Sequence, residues 1–286
     1  MKITKGHEKL TRIKNGDYVL EGDLISTENI EIELDDRLVV MGSIKTEKSI
    51  IVQRTLIAGC GIEAGWNIKA GDGIEAGWNI KAGCGIEAGW NIKAGCGIEA
   101  GWNIKAGDGI EAGCGIKAGD GIEAGDGIEA GWNIKAGCGI EAGWNIKAGC
   151  GIEAGDGIEA GCGIKAGDGI EAKTFIHSEK RIFAGISLHK TSDDCDKTIK
   201  CAELRKGEIC YGELIITKEE PKSFRVVCTA QKTSETLFTV GKIYTWENNT
   251  ITNDVDFTYR ESVSGSDPDK WDLSNYYTFI KIKEGK

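Results

Sequence analysis

Proline is almost absent, with two in 286 residues, and no run of consecutive apolar residues is long enough to cross a bilayer as a helix. The glycines have no three-residue period, so a collagen-like triple helix is excluded as well. The N-terminus MKITKGHEKL lacks the apolar core of a secretory signal, which predicts a cytoplasmic protein. Histidine is scarce. His7, His177 and His189 lie far apart, and no Ser/His/Asp or Cys/His constellation is legible. No enzyme, cofactor or membrane partner is therefore expected. The count of 11 cysteines is odd, and seven of them fall in a short repeat. That pattern predicts reduced thiols rather than a disulfide framework. His189, Cys195, Cys201 and Cys210 lack the close pairs of a structural zinc site, so no metal is expected. A net charge of -10 argues against direct nucleic-acid binding.

Glycine is in excess, at 42 residues. Residues 57–172 repeat the unit I-[EK]-A-G-[WCD]-[GN], with Ile every six residues from Ile62 to Ile170. So short a period marks a solenoid. Ile and the Ala two residues later share one side of a short strand and face inward, while the Glu or Lys between them faces solvent. The next three residues include Gly and Asn, which tolerate positive φ, so the triplet reads as a corner. Stepping back by six from Ile62 places Leu56, Ile50, Ile44, Leu38, Ile32, Ser26 and Leu20 at the inward position. Stepping forward gives Ile176, Ile182 and Leu188.

Charge decides the coil length. In a 12-residue coil, 13 of 17 stacked Glu/Lys pairs would be like-charged, whereas in an 18-residue coil 10 of 16 are opposite. Opposed charges on neighbouring strands stabilise and like charges cost. The expected fold is all-β: a triangular β-helix of about 18 residues per coil, followed by a small all-β C-terminal domain. The expected organisation is an N-terminal cap over 1–19, a β-helix over 20–190, capping strands and a connection over 191–221, and a β-barrel-like, SH3-like domain over 222–286, where apolar and polar residues alternate. The solenoid would hold nearly ten coils.

The corner position accepts Trp, Cys or Asp. A site that tolerates Asp is not a packed interior, so these side chains are expected outside. The candidate partner-binding residues are Trp66, Trp78, Trp90, Trp102, Trp132 and Trp144, with Asp72, Asp108, Asp120, Asp126, Asp156 and Asp168. Exposed Trp favours an interface, although a Trp lying flat would also shield the coil backbone. Residues 57–172 carry 8 Lys, 11 Glu and 6 Asp, a net of -9, so nearly all of the protein's charge lies on the rod.

Two resemblances accompany this pattern. The flank GDLISTENIEIELDDRLVVMGSIKTEKSIIV is similar to bactofilins, which are polymer-forming β-helices. The AGWNIKAGCGIEAG array, with RIFAGISLHK and KGEICYGELIIT after it, resembles a group of hexapeptide-repeat proteins of Firmicutes phages and mobile elements. VGKIYTW resembles small β-barrels of Firmicutes phage proteins. The phage resemblance implies a genetic setting and, by analogy, an inhibitor of host defence of the anti-CRISPR kind, working in the host cytoplasm. Its partner would be a host protein, either a CRISPR effector or another DNA-binding protein, engaged by an acidic rod that imitates a duplex. The bactofilin resemblance implies instead a self-assembling scaffold. Homo-oligomerisation is left open.

Overall fold

The computed structural model describes residues 1–186 and 195–217. Beyond these it describes 224–231, 239–240, 242–247, 250–252, 258–260, 270–273 and 277–281. Leu188 and His189 lie outside the described residues. The described chain contains no helix and divides into two units, Met1–Thr217 and Lys218–Lys286.

The first unit is a β-solenoid with three faces. Strand Ile62–Ala64 lies on face one, Ile68–Ala70 on face two and Ile74–Ala76 on face three. Each pairs in parallel with its counterpart in the next coil, as Ile62 with Ile80, Ile68 with Ile86 and Ile74 with Ile92. Within the array every strand is three residues long. The Ile is buried, the Glu or Lys points out and the Ala is buried. The inside of the rod is thus a column of Ile and Ala on each face. Among the described residues face one has 11 strands, of which two, Thr198–Cys201 and Glu213–Ile216, extend the solenoid beyond the expected boundary at 190.

The corner glycines have a different cause from the one the composition suggests. No glycine of the array has positive φ; among the described residues that conformation occurs at Gly16, Gly22, Gly185, Gly207 and Gly212. What the first corner position requires is room. From Gly65 to Gly167, a Cβ at this position would lie 1.8–2.2 Å from a carbonyl oxygen of the coil below. No side chain fits there. The second Gly, after the variable residue, is looser, as at Gly109, where a Cβ would meet Asn91 Oδ1 at 3.3 Å and the Gly127 carbonyl at 3.4 Å. This difference explains why Asn substitutes at the second position and never at the first. Each array Asn also has a partner: the side chains of Asn67, Asn79, Asn91, Asn103, Asn133 and Asn145 accept the N–H of the glycine one coil above, at 2.8–3.0 Å. Asp23, Asn29, Ser49 and Thr55 accept in the same way in the less regular coils.

Near the N-terminus the register departs from the six-residue count. Tyr18 pairs with Leu38, Leu24 with Ile44 and Ile30 with Ile50, a longer step than the later one from Leu38 to Leu56. Two extra residues sit in the corner between Ile30–Glu33 and Leu38–Val40. Leu20, Ser26 and Ile32 therefore end the inward pattern of their strands instead of starting it. An even-numbered slip keeps the same side chains inward, so the alternation conceals it. The enlarged corner is pinned by ions. Arg37 donates to both carboxylate oxygens of Asp17 at 2.8 Å, and Asp35 accepts from Lys5 at 2.7 Å and from the Tyr18 hydroxyl at 2.8 Å.

At this end Lys2–Thr4 pairs with face two and Leu10–Arg12 adds to face three as an antiparallel strand. At the other end Phe175–Phe183 and Glu203–Tyr211 run through a corner without a break and belong to two faces each. Thr198–Cys201 and Glu213–Ile216 continue face one. Ser178, buried where the array has Ala, donates to the Cys162 carbonyl at 2.7 Å. Among the described residues the second unit contains a six-stranded antiparallel sheet, ordered Thr258–Arg260, Thr250–Thr252, Ile243–Glu247, Phe224–Gln231, Tyr277–Lys281, Lys270–Leu273.

The two glycine environments predict opposite tolerances. Gly107→Ala places a Cβ 1.8 Å from the Gly89 carbonyl and should cost about 1–3 kcal/mol, the usual range for overpacking. Gly109→Ala should be neutral or slightly stabilising. Thermal melts of the two variants measure this, and equal midpoints would refute the close-approach explanation.

A second expectation concerns acid. The Lys5 ammonium, and after it the Tyr18 hydroxyl, hold the Asp35 carboxyl down at about 2. A lowered carboxyl contributes stability above its ordinary pKa, near 4, and loses it as pH falls toward 2. A carbon-detected NMR titration should place the Asp35 midpoint near 2 in the native chain and higher in Lys5→Met.

Candidate functional site

The corners carry the variable residues in three columns. Corner one, after face one, holds Trp66, Cys84, Trp102, Asp120, Cys138 and Asp156, each donating its N–H to the carbonyl of the residue below it. Corner two holds Asp72, Trp90, Asp108, Asp126, Trp144 and Cys162. Corner three holds Cys60, Trp78, Cys96, Cys114, Trp132, Cys150 and Asp168. All six Trp point outward and are 56–62 % exposed, as the tolerance of this position for Asp predicts.

The columns do not gather the Trp. Each corner has two: Trp66 and Trp102, Trp90 and Trp144, Trp78 and Trp132. Strands stack at about 4.8 Å, so the first two are about 10 Å apart and each other pair about 14 Å. Six Trp in a row along the chain are six Trp spread around the rod. Of the six corner Asp, only Asp108 and Asp126 stack directly. Cysteines are spread in the same manner. Cys96 and Cys114 stack directly, with Trp or Asp between the other array cysteines of each column. The described residues contain no group of three or more His, Cys, Asp or Glu able to hold a metal. Buried Cys201 has its thiol pushed up by desolvation.

The outward Glu and Lys form one column on each face. In the lower coils they alternate and pair: Lys45 with Glu63 at 2.9 Å, Lys69 with Glu87 at 3.1 Å, Lys93 with Glu111 at 3.1 Å and Lys105 with Glu123 at 2.7 Å. Each is half-exposed and screened by solvent, so each contributes little on its own. Higher up the alternation stops. Glu123 stacks under Glu141 and Glu141 under Glu159; Lys117 lies under Lys135, and Glu153 under Glu171. All six like-charged pairs of the array lie between Glu111 and Glu171. Residues 57–106 hold five carboxylates and four lysines, a net of -1, whereas residues 107–172 hold twelve carboxylates and four lysines, a net of -8. The rod is axially polarised.

Two open grooves run along the outer faces. The groove on face three passes Trp90 and Trp144. The groove on face two passes Trp102, Gly121, Gly139 and Gly157, with Phe175 at its upper end. Face two carries Glu123, Glu141 and Glu159 along this groove. These three glutamates lie in strands and not at corners, so they are not among the candidates predicted from the sequence. Their signal is a spacing of one coil, legible once the coil length is known. Comparison with protein families, curated proteins and solved structures finds no match for this chain.

Proposed function

We propose that this chain is a non-enzymatic binding protein that inhibits a nucleic-acid-handling host protein, of the anti-CRISPR kind, by presenting an acidic rod in place of a duplex. The observation that supports this reading most is the axial polarisation: the upper half of the array carries -8 of the -9 charges. A regular solenoid holds those charges on a stiff, periodic scaffold, so little side-chain and loop ordering remains to be done on binding. Exposed Trp beside the charges supplies the aromatic anchors that interfaces favour.

A second reading, end-to-end assembly of the bactofilin kind, draws on the lower end of the rod. There Lys2–Thr4, Leu10–Arg12 and Leu24–Ser26 each pair on one side only among the described residues. An unpaired strand edge templates further pairing. Sedimentation over a wide concentration range separates the readings: a mass that climbs in steps favours the scaffold, and a constant mass removes it.

The inhibitor reading is tested with the full chain, immobilised and exposed to a Firmicutes lysate. Proteins retained on it should be released by duplex DNA, and in a mobility-shift assay the soluble chain should block their binding to DNA. Retained proteins that ignore duplex DNA would overturn the reading. Raising salt from about 50 to 200 mM should weaken capture strongly if phosphate-binding cations carry the contact.

A further inference from the structure

We infer that face two of the upper rod, between the levels of Asp108 and Glu159, is the binding side, and that it fits the arginine-rich, duplex-binding surface of a partner protein. This rests on the reading above and assigns its site. The upper charge is shared unevenly among the three faces. On face one, Lys117 and Lys135 balance Glu153 and Glu171. On face three, Lys147 and Lys165 balance Glu111 and Glu129. Face two has Glu123, Glu141 and Glu159 with no lysine among them. Asp120 and Asp156 on corner one and Asp108 and Asp126 on corner two flank that column. Seven of the eight excess charges therefore lie on one face and its two edges. Lys105, bound to Glu123, closes the column below, and His177 closes it above.

Folding does not account for this arrangement. Lower in the same array the repeat alternates Glu and Lys on each face, and the pairs form. Three stacked glutamates repel one another, at a cost similar to what an opposite pair contributes. The same hexad with Lys at position 141 would relieve both contacts. Glu141 and Glu159 have no ion-pair partner among the described residues.

The shape of the face adds an independent indication of what it takes. Between Trp102 and Phe175 the groove is lined by Gly121, Gly139 and Gly157, so long side chains can enter it. At its upper end the Arg205 guanidinium already lies over the Phe175 ring, at 3.5 Å from the centroid. The Phe175 ring that ends the groove therefore already stacks with a guanidinium, so an aromatic contact suited to arginine stands beside the acidic column. The charge density approaches that of a duplex: seven carboxylates over four coils, about 19 Å of rod, is one per roughly 3 Å, against about 1.7 Å for double-stranded DNA.

The test uses the full chain and a fluorescent oligoarginine peptide as probe. Glu123→Gln/Glu141→Gln/Glu159→Gln and the control Glu111→Gln/Glu153→Gln/Glu171→Gln remove the same charge from the same half of the rod. The face-two variant should weaken peptide binding about tenfold, and the control by less than about threefold. Equal losses would overturn the face assignment and leave the acidic-rod reading standing. A native chain that does not bind the peptide would overturn both. Stability gives a second readout. The face-two variant relieves two like-charged contacts and loses one pair, Lys105–Glu123, so it should melt slightly above the native chain; the control relieves two such contacts, Glu111–Glu129 and Glu153–Glu171, but loses two pairs, Lys93–Glu111 and Lys135–Glu153, so it should melt close to the native chain. A face-two variant that melts lower would remove the energetic part of the argument.

Discussion

Coil-on-coil contact at the corners governs this molecule. Hydrogen bonds between parallel strands set the vertical step, and the chain must turn three times in each coil without leaving that step. At every turn of the array from Gly65 to Gly167 a backbone carbonyl of the lower coil occupies the place where a side chain would begin on the residue above. Glycine is the residue that fits, and the array contains it at every such position. The inward positions are taken by Ile and Ala because each coil has to lie flat on its copy. Two positions per hexad remain free of packing: the outward residue of the strand and the corner residue. All variation in the array is found there, apart from the Gly/Asn exchange that follows the corner residue, and any recognition must be written there.

The period of the sequence carries most of the fold, since a strict alternation within each hexad separates inside from outside, and the Glu/Lys pattern distinguishes three hexads per coil from two. Two features escaped for physical reasons. Inserting two residues beside Asp35 leaves the alternation intact, so Ile32 still reads as inward although its place in the strand has changed. Glycine is ambiguous by nature, because positive φ and close approach select it equally, and only the contact between coils distinguishes Gly107 from Gly109. The candidate site was half legible. Trp66 through Trp144 and the corner Asp are visible as outliers in a monotonous text. That the Trp are dispersed over three corners while Glu123, Glu141 and Glu159 converge on one face depends on counting by whole coils.

The two halves of the rod divide the demands of stability and recognition. Lower coils interleave their charges and are bound to one another by exposed ion pairs. Upper coils keep the same Ile and Ala interior and the same Asn-to-Gly hydrogen bonds, but give up charge alternation on the outside. The interior repeats so regularly that it tolerates this.

Near-identity of the hexads has a consequence for angular phase. Any hexad could sit above any other with the core still filled, so the array by itself does not know where each coil starts. That phase is supplied by the irregular coils beneath, where Thr46 donates to the Glu28 carbonyl, Ser49 and Thr55 cap particular N–H groups, and Asp35 and Arg37 lock the enlarged corner. Gain or loss of one hexad would turn everything above it by one face and leave the interior unchanged. Glutamates one coil apart would stay aligned on either side of the change and part company across it. In such a rod a six-residue insertion acts as a rotation, and the surface pattern can be re-dealt in steps of a third of a turn without any cost to the fold that bears it.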